Sequence, residues 1–270
     1  MGDFKIGCQT YTWEMLGKEW KGSVDDILDC IKKAGYEGVE ITNNMIGTYY
    51  NNPDAFARAL EKRGIKFAAF GFVPLFQFTD YTHFTDEIKN AEKGIEFLSN
   101  FPGTKLELAG GSARNRENLE DKFKTMCRIY NEIAERAMKK NVKVDVHPHS
   151  HAGSIIETPE EYEKLMGLTE PDLVGWCPDS GHIIRSGLDL IKTLTKYKKR
   201  IRNIHFKDVD KKGVWKPMGK GICDFKKILK LLENIGYKGW IIAEEESEEA
   251  RNDQTALITA NRIYLKSLGL

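Results

Sequence analysis

The sequence predicts an α/β protein folded as a single (β/α)8 TIM barrel spanning residues 1–270. Three observations carry this expectation. Short β-branched runs alternate eight times with segments of helical period, no Pro- or Ser-rich linker interrupts the series, and no GxGxxG turn follows the first strand to suggest a dinucleotide fold. A length of 270 residues suits one barrel of this kind.

Taken in order, FKIGCQ reads as the first strand, ahead of a helical stretch at 23–35. GVEIT precedes a helix at 53–64, and IKFAAFG precedes one at 84–101. KLELAG leads to 117–140, VKVDVHPH to 160–166, and LVGWCP to 188–197. RNIHFKD leads to 225–235, and GWIIAEE to the last helix at 250–268. Helix starts are marked by Ser23 with Asp26 as a capping box, by Asn52 before Pro53, and by Thr158 before Pro159. Gly35-Tyr36-Glu37-Gly38 and Gly236-Tyr237-Lys238-Gly239 each read as a helix end that enters a strand.

Composition excludes several classes. Hydrophobic residues make up 41% and charged residues 30%, and no apolar run approaches the ~18 residues that span a bilayer, so no membrane insertion is expected. MGDFKIGCQTY has no basic region followed by an apolar stretch, which points to a cytoplasmic location, and a Met-Gly start alone is a weak lipidation signal. The five cysteines (Cys8, Cys30, Cys127, Cys177, Cys223) are odd in number, scattered, and never in CxxC, so reduced and mostly buried thiols are expected. A formal charge of +1 supplies no global cationic surplus for nucleic acid.

The chemistry is concentrated at strand ends. Of six histidines, His147, His149, His151, His182 and His205 fall at or just beyond the carboxyl ends of the fifth, sixth and seventh strands, the face on which barrels of this architecture build their sites. His83 opens a helical stretch and reads as a surface or capping residue. Strand parity sharpens the pattern. In VKVDVHPH the valines share one face, leaving Asp145, His147 and His149 on the other. The same rule turns Cys177 and Asp179, His205 and Lys207, and Glu244 and Glu246 toward the axis. Four strands thus bring His149, Asp179, His205 and Glu244 to one rim. That mixed N/O set suits one divalent transition metal, Mn2+ first, with Co2+, Fe2+ or Zn2+ open. A metal also explains why imidazoles and acids crowd one place.

Other residues carry weaker signals. Tyr11 and Trp13 follow the first strand and offer an apolar wall for a sugar ring or ordinary packing. Glu40 has inward parity, fit for a substrate hydroxyl or an interior salt bridge. Gly219-Lys220-Gly221 reads as a turn in preference to a phosphate cradle. Trp20, Phe72, Phe76 and Phe78 make the amino-terminal loops aromatic enough for a lid or an oligomer contact.

Pro178-Asp179-Ser180-Gly181-His182, His205-Phe206-Lys207-Asp208, Gly219-x-Gly221 with Asp224-Phe225, and Gly239-Trp240 leading to Glu244-x-Glu246 follow one another in a specific order. With them the chain resembles, over nearly its whole length, the xylose isomerase-like barrel superfamily of sugar isomerases, epimerases and inosose dehydratases. The resemblance implies one metal held by Asp179, His205 and Glu244. Family members usually place a glutamate in a Glu-x-His stretch after the fifth strand, whereas this chain reads His147-Pro148-His149-Ser150-His151-Ala152-Gly153. Aligning on the glycine sets His149 at the glutamate position. The His-rich variant looks most like the inosose dehydratase branch, and it removes one of the two glutamates thought to move protons in the epimerases.

The expectation that follows is a lyase on a keto-sugar or keto-cyclitol, in which a base removes the proton next to a carbonyl and a β-substituent, first of all water, departs. His147 or His151 is the expected base, with Glu246 next; His182 is the acid or hydroxyl binder, and Lys207 holds a substrate oxygen. Alternatives are a keto-sugar isomerase or epimerase, a 3-keto-glycoside-cleaving lyase, an abasic-site endonuclease sharing the barrel, and a carbohydrate-binding subunit. Dimers or tetramers are common in the family, so a homo-oligomer is open to this chain.

Overall fold

Each of the eight sequence runs becomes a parallel strand in the computed structural model, which describes residues 4–270. They are β1 Lys5–Gln9, β2 Gly38–Thr42, β3 Lys66–Phe72, β4 Lys105–Ala109, β5 Lys143–His147, β6 Val174–Trp176, β7 Ile204–Phe206 and β8 Trp240–Ala243. The first three residues, part of the stretch read for a leader and a lipid signal, lie outside the described residues. The sheet order is β6-β5-β4-β3-β2-β1-β8-β7. Parallel bridges Trp176 to Ile201 and Asp179 to His205 close β6 against β7, so the eight strands form a TIM barrel.

The predicted helices form, most with tighter bounds, while the one expected at 160–166 extends to Pro159–Leu168. Val24–Ala34 buries Ile27, Leu28, Ile31 and Ala34, and Phe225–Asn234 buries Phe225, Ile228, Leu229 and Leu232. In each helix these residues recur at three- and four-residue separations and lay one stripe on the outer face of the sheet, each large side chain adding roughly 1.5–3 kcal/mol of burial. The capping signals work as written. Ser23 and Asp26 form a capping box, as do Thr158 and Glu161, and the Asn52 side chain accepts from the Ala55 N–H ahead of Pro53. Gly35 and Gly236 end their helices at φ 87° and 65°, the left-handed region open to glycine.

β6 and β7 are shorter than their sequence runs. Pro178 has no N–H to continue a ladder, and Asp179 turns to cap the helix Ser180–Arg185. After Phe206 the chain leaves the sheet into a two-stranded hairpin, Asp208–Val209 with Trp215–Lys216, which the sequence reading did not anticipate.

Inside the barrel the amino-terminal end is plugged by Trp240, Ile242 and Ala68. A Cβ at Gly38 would sit 2.7 Å from the Trp240 ring, so glycine there makes room for the indole. Above this apolar plug the interior turns polar, with Glu40, Glu107, Asp145 and Asn203 all buried. Among the described residues no helix is long and apolar enough to cross a membrane.

Candidate metal centre and active site

The carboxyl rim follows from strand parity. β5 delivers His147, the turn after β6 delivers Asp179, β7 delivers His205 and the residue after β8 delivers Glu244. One ligand atom from each lies within 4.8 Å of all the others, and all four side chains are buried. His149, the expected fourth ligand, instead falls in a neighbouring group with His147 and His182. The cause is local. β5 ends at His147, and Pro148 carries the chain out of the strand, so inward parity does not extend to the next alternate residue.

His147 Nε2 and Asp179 Oδ2 face each other at 4.0 Å, both buried and without a hydrogen-bond partner. Orphaned buried polar atoms cost roughly 1–3 kcal/mol each. A divalent cation bound at about 2.0–2.2 Å from each ligand would satisfy both at this separation, so the donor set fits a metal. His205 lies between carboxylates: its Nδ1 meets Glu244, and its Nε2 is 2.8 Å from Glu40 Oε2 and 3.4 Å from Glu107 Oε2.

Electrostatics separate the imidazoles. Burial, joined by His205 and His149, pushes His147 well below the usual histidine range; burial also lowers His182 and takes His149 down to about 3. His205 moves the other way. Burial opposes its charge, but Glu40 and the other acids beside it outweigh burial and push it well above the usual histidine range. Burial raises Asp179 to about 6 and Glu246 to about 8, in each case against the pull of Lys207. Glu244 sits well below the usual range, because Lys207 and His205 together overcome its burial.

Lys207 is itself 1% exposed. Its Nζ donates to Glu244 Oε1 at 3.1 Å and to Glu246, and lies 3.3 Å from His182 Nε2. Expected as a substrate binder, it is committed to this carboxylate pair. His182 Nδ1 accepts the Ser150 N–H at 2.9 Å, and its Nε2 faces the Lys207 ammonium.

The remaining candidates divide. Tyr11 lines a cavity of about 90 Å³ over the rim, together with Gln9, Glu40, Glu107, His147, His149, His205 and Glu244. Trp13 does not line it. At 1% exposure it is packed edge-on to Trp20 and serves the core. Glu40 is held inside, its Oε1 accepting from Gln9 Nε2 at 2.7 Å and its Oε2 facing His205. His151 lies exposed at the mouth, its ring 5.7 Å from that of His149. Gly219-Lys220-Gly221 is no anion cradle, because Asp208 Oδ2 already accepts the N–H groups of Gly219 and Gly221. Phe72 and Phe78 are core residues, whereas Phe76 stacks on His83 at 3.7 Å and stays partly open, as does the half-buried Trp20. A wider cleft of about 1050 Å³ opens beside these loops and holds none of the rim residues.

Three participants escaped sequence reasoning. Glu107 in KLELAG has inward parity, a signal that was present and not used. Trp215 packs over His182 at 4.9 Å and Lys207 at 4.3 Å, placed there by the unanticipated hairpin. The Ser150 N–H anchors the His182 ring, and a backbone group leaves no trace in composition.

Comparison with known proteins agrees with this architecture. An inosose dehydratase of Clostridium tetani is 27% identical, covering 97% of this chain and 96% of that protein. A crystal structure of the IOLI protein with a bound zinc atom superposes with a TM-score of 0.82 at 19% identity, covering 98% of each chain. The 3-keto-D-glucoside 4-epimerase YcjR of E. coli, apo form, gives 0.77 at 16% identity, covering 98% of this chain and 99% of the other. Residues 28–268 match the family described as xylose isomerase-like TIM barrel, and the chain belongs to that family.

Proposed function

We propose that this protein is a metal-dependent enzyme that removes the proton next to the carbonyl of a keto-sugar or keto-cyclitol and eliminates water from the adjoining carbon. The observation that carries the reading is the pair of buried, partnerless ligand atoms, His147 Nε2 and Asp179 Oδ2, set among His205 and Glu244. The dehydratase relative and the zinc-bearing structural neighbour support it.

Asp179, His205, Glu244 and His147 would hold the ion, His147 taking the place first expected of His149. When bound, a divalent ion supplies Lewis-acid polarisation of a carbonyl oxygen, worth several kcal/mol to the transition state, and Mn2+ is our first choice for this N/O set. Glu246, held by Lys207, takes the proton from the carbon next to the carbonyl. The C–H electron pair becomes the new C=C bond, and the β-hydroxyl leaves as water with the proton that Glu246 has gained, His182 holding the departing oxygen. Lys207 keeps Glu246 and Glu244 oriented, while Tyr11 and His149 bound the substrate ring.

The deciding experiment is assay of the Mn2+-loaded protein against inososes, keto-hexoses and 3-keto-glucosides. Growth of near-ultraviolet absorbance from a conjugated ketone, abolished by a chelator and restored by Mn2+, is the expected result. Reversible isomer interconversion without that absorbance would assign the site to an isomerase or epimerase. Full activity in strong chelator would overturn the metal.

A further inference from the structure

We propose a second, deeper cation position in the barrel, built by Cys177 and Glu107 with the imidazoles of His147 and His205, and suited to a thiophilic ion such as Zn2+ or Co2+. One ligand atom from each of these four residues lies within 4.8 Å of the others, and all four are buried. Glu107 Oε2 has no hydrogen-bond partner and points at this space, 3.4 Å from His205 Nε2. Its other oxygen is fixed, accepting from Asn203 Nδ2 at 2.6 Å, and Asn203 Oδ1 in turn accepts from Lys105 Nζ at 2.8 Å. Such outer contacts orient a ligand while leaving one oxygen free. His147 Nε2 is likewise unpartnered.

The lining argues in the same direction. Glu40 and Glu107, both 2% exposed, bring two carboxyl groups against the one imidazole of His205, an oxygen-rich buried pocket of the kind that a divalent ion occupies. Access exists, because the cavity of about 90 Å³ touches Glu107, His147, His205 and Glu244 and so joins the deep position to the rim.

The rim offers only nitrogen and oxygen, whereas the deep set adds sulfur. Hard Mn2+ therefore belongs at the rim, and a softer ion is drawn below, the thiol releasing its proton to solvent on binding. Because the two sets share His147 and His205, they are alternative seats for one ion. That competition rests on the rim reading; the deep position itself does not.

The test titrates metal-free protein with Co2+ and Zn2+. The expected results are a near-ultraviolet thiolate-to-Co2+ charge-transfer band and one sulfur at about 2.3 Å in the X-ray absorption of the Zn2+ form. Cys177→Ser removes the band, Glu107→Gln weakens Co2+ binding roughly tenfold or more, and Asp179→Asn keeps the band. Absence of sulfur in the wild-type Zn2+ form, a measurement that needs no variant to fold, overturns the deep position, as does a band that survives Cys177→Ser. Loss of Co2+ in Asp179→Asn with no effect of Cys177→Ser leaves the rim standing and the deep position refuted. Undiminished Mn2+ binding in Asp179→Asn with the sulfur contact intact does the reverse.

Discussion

Asp179 and His205 seal the barrel and face its metal-ligand rim at once: a parallel bridge joins them across the seam between β6 and β7, and the His205 N–H donates to the Pro178 carbonyl at 2.8 Å. The spacing of two candidate ligands is therefore set by backbone pairing, and their side chains are preorganised without a bound ion.

Asp179 performs two tasks with two oxygens. Oδ1 accepts the His182 N–H at 2.7 Å and caps the helix Ser180–Arg185, while Oδ2 has no partner. Asp179→Asn keeps a capping oxygen, so its metal-free stability should stay near wild type while Mn2+ affinity falls at least about tenfold. Asp179→Ala should also lose the cap, about 1 kcal/mol. Calorimetric Mn2+ titration and urea unfolding separate the two effects, and wild-type affinity in Asp179→Asn would refute the assignment.

His147 and His149 should behave differently despite lying two residues apart. His147→Ala should lose bound metal, because its Nε2 faces Asp179. His149→Ala, whose ring lies 5.0 Å from that of His182, should retain metal and lose turnover. Metal content after dialysis, with activity measured on the same samples, decides between them; the opposite pattern returns the fourth ligand to His149.

Asp208 holds the loop after the hairpin by accepting four backbone N–H groups, from Val209, Gly219, Gly221 and Cys223, at 2.9–3.0 Å. It is 1% exposed. Each buried N–H left alone costs roughly 1–3 kcal/mol, so Asp208→Ala should destabilise by about 3 kcal/mol or more, with Asp208→Asn intermediate. Equilibrium urea denaturation would show it; a loss under about 1 kcal/mol would mean that water replaces the carboxylate.

Tyr50 buries a hydroxyl with no hydrogen-bond partner, and burial pushes its ionisation up to about 12. An unfolded tyrosine ionises near pH 10, so between about pH 10 and 12 the unfolded chain binds fewer protons and stability falls as pH rises. Tyr50→Phe removes this loss and should be neutral to stabilising at pH 7. Alkaline unfolding midpoints of the two proteins should therefore diverge above pH 10, and parallel curves would count against a buried hydroxyl.

The linear signals were local ones. Alternating valines named the inward face of β5, and capping residues such as Ser23 and Thr158 named helix starts, because these preferences act over three or four residues. Strand-end position likewise points Asp179, His205 and Glu244 to the rim, since closed barrels gather their strand ends on one face. Substrate identity has no such local signature.

What the sequence by itself determined was the number and order of the β/α units, the inward parity of each strand, and the strand ends at which imidazoles and acids collect. Tertiary structure alone decided that His147 and not His149 faces Asp179, that Lys207 spends its donors on Glu244 and Glu246, and that Trp215 overlies His182. The reason is physical: parity holds only while the ladder lasts, and once Pro148 or the residue after Phe206 leaves the sheet, direction is set by packing between elements far apart in the chain.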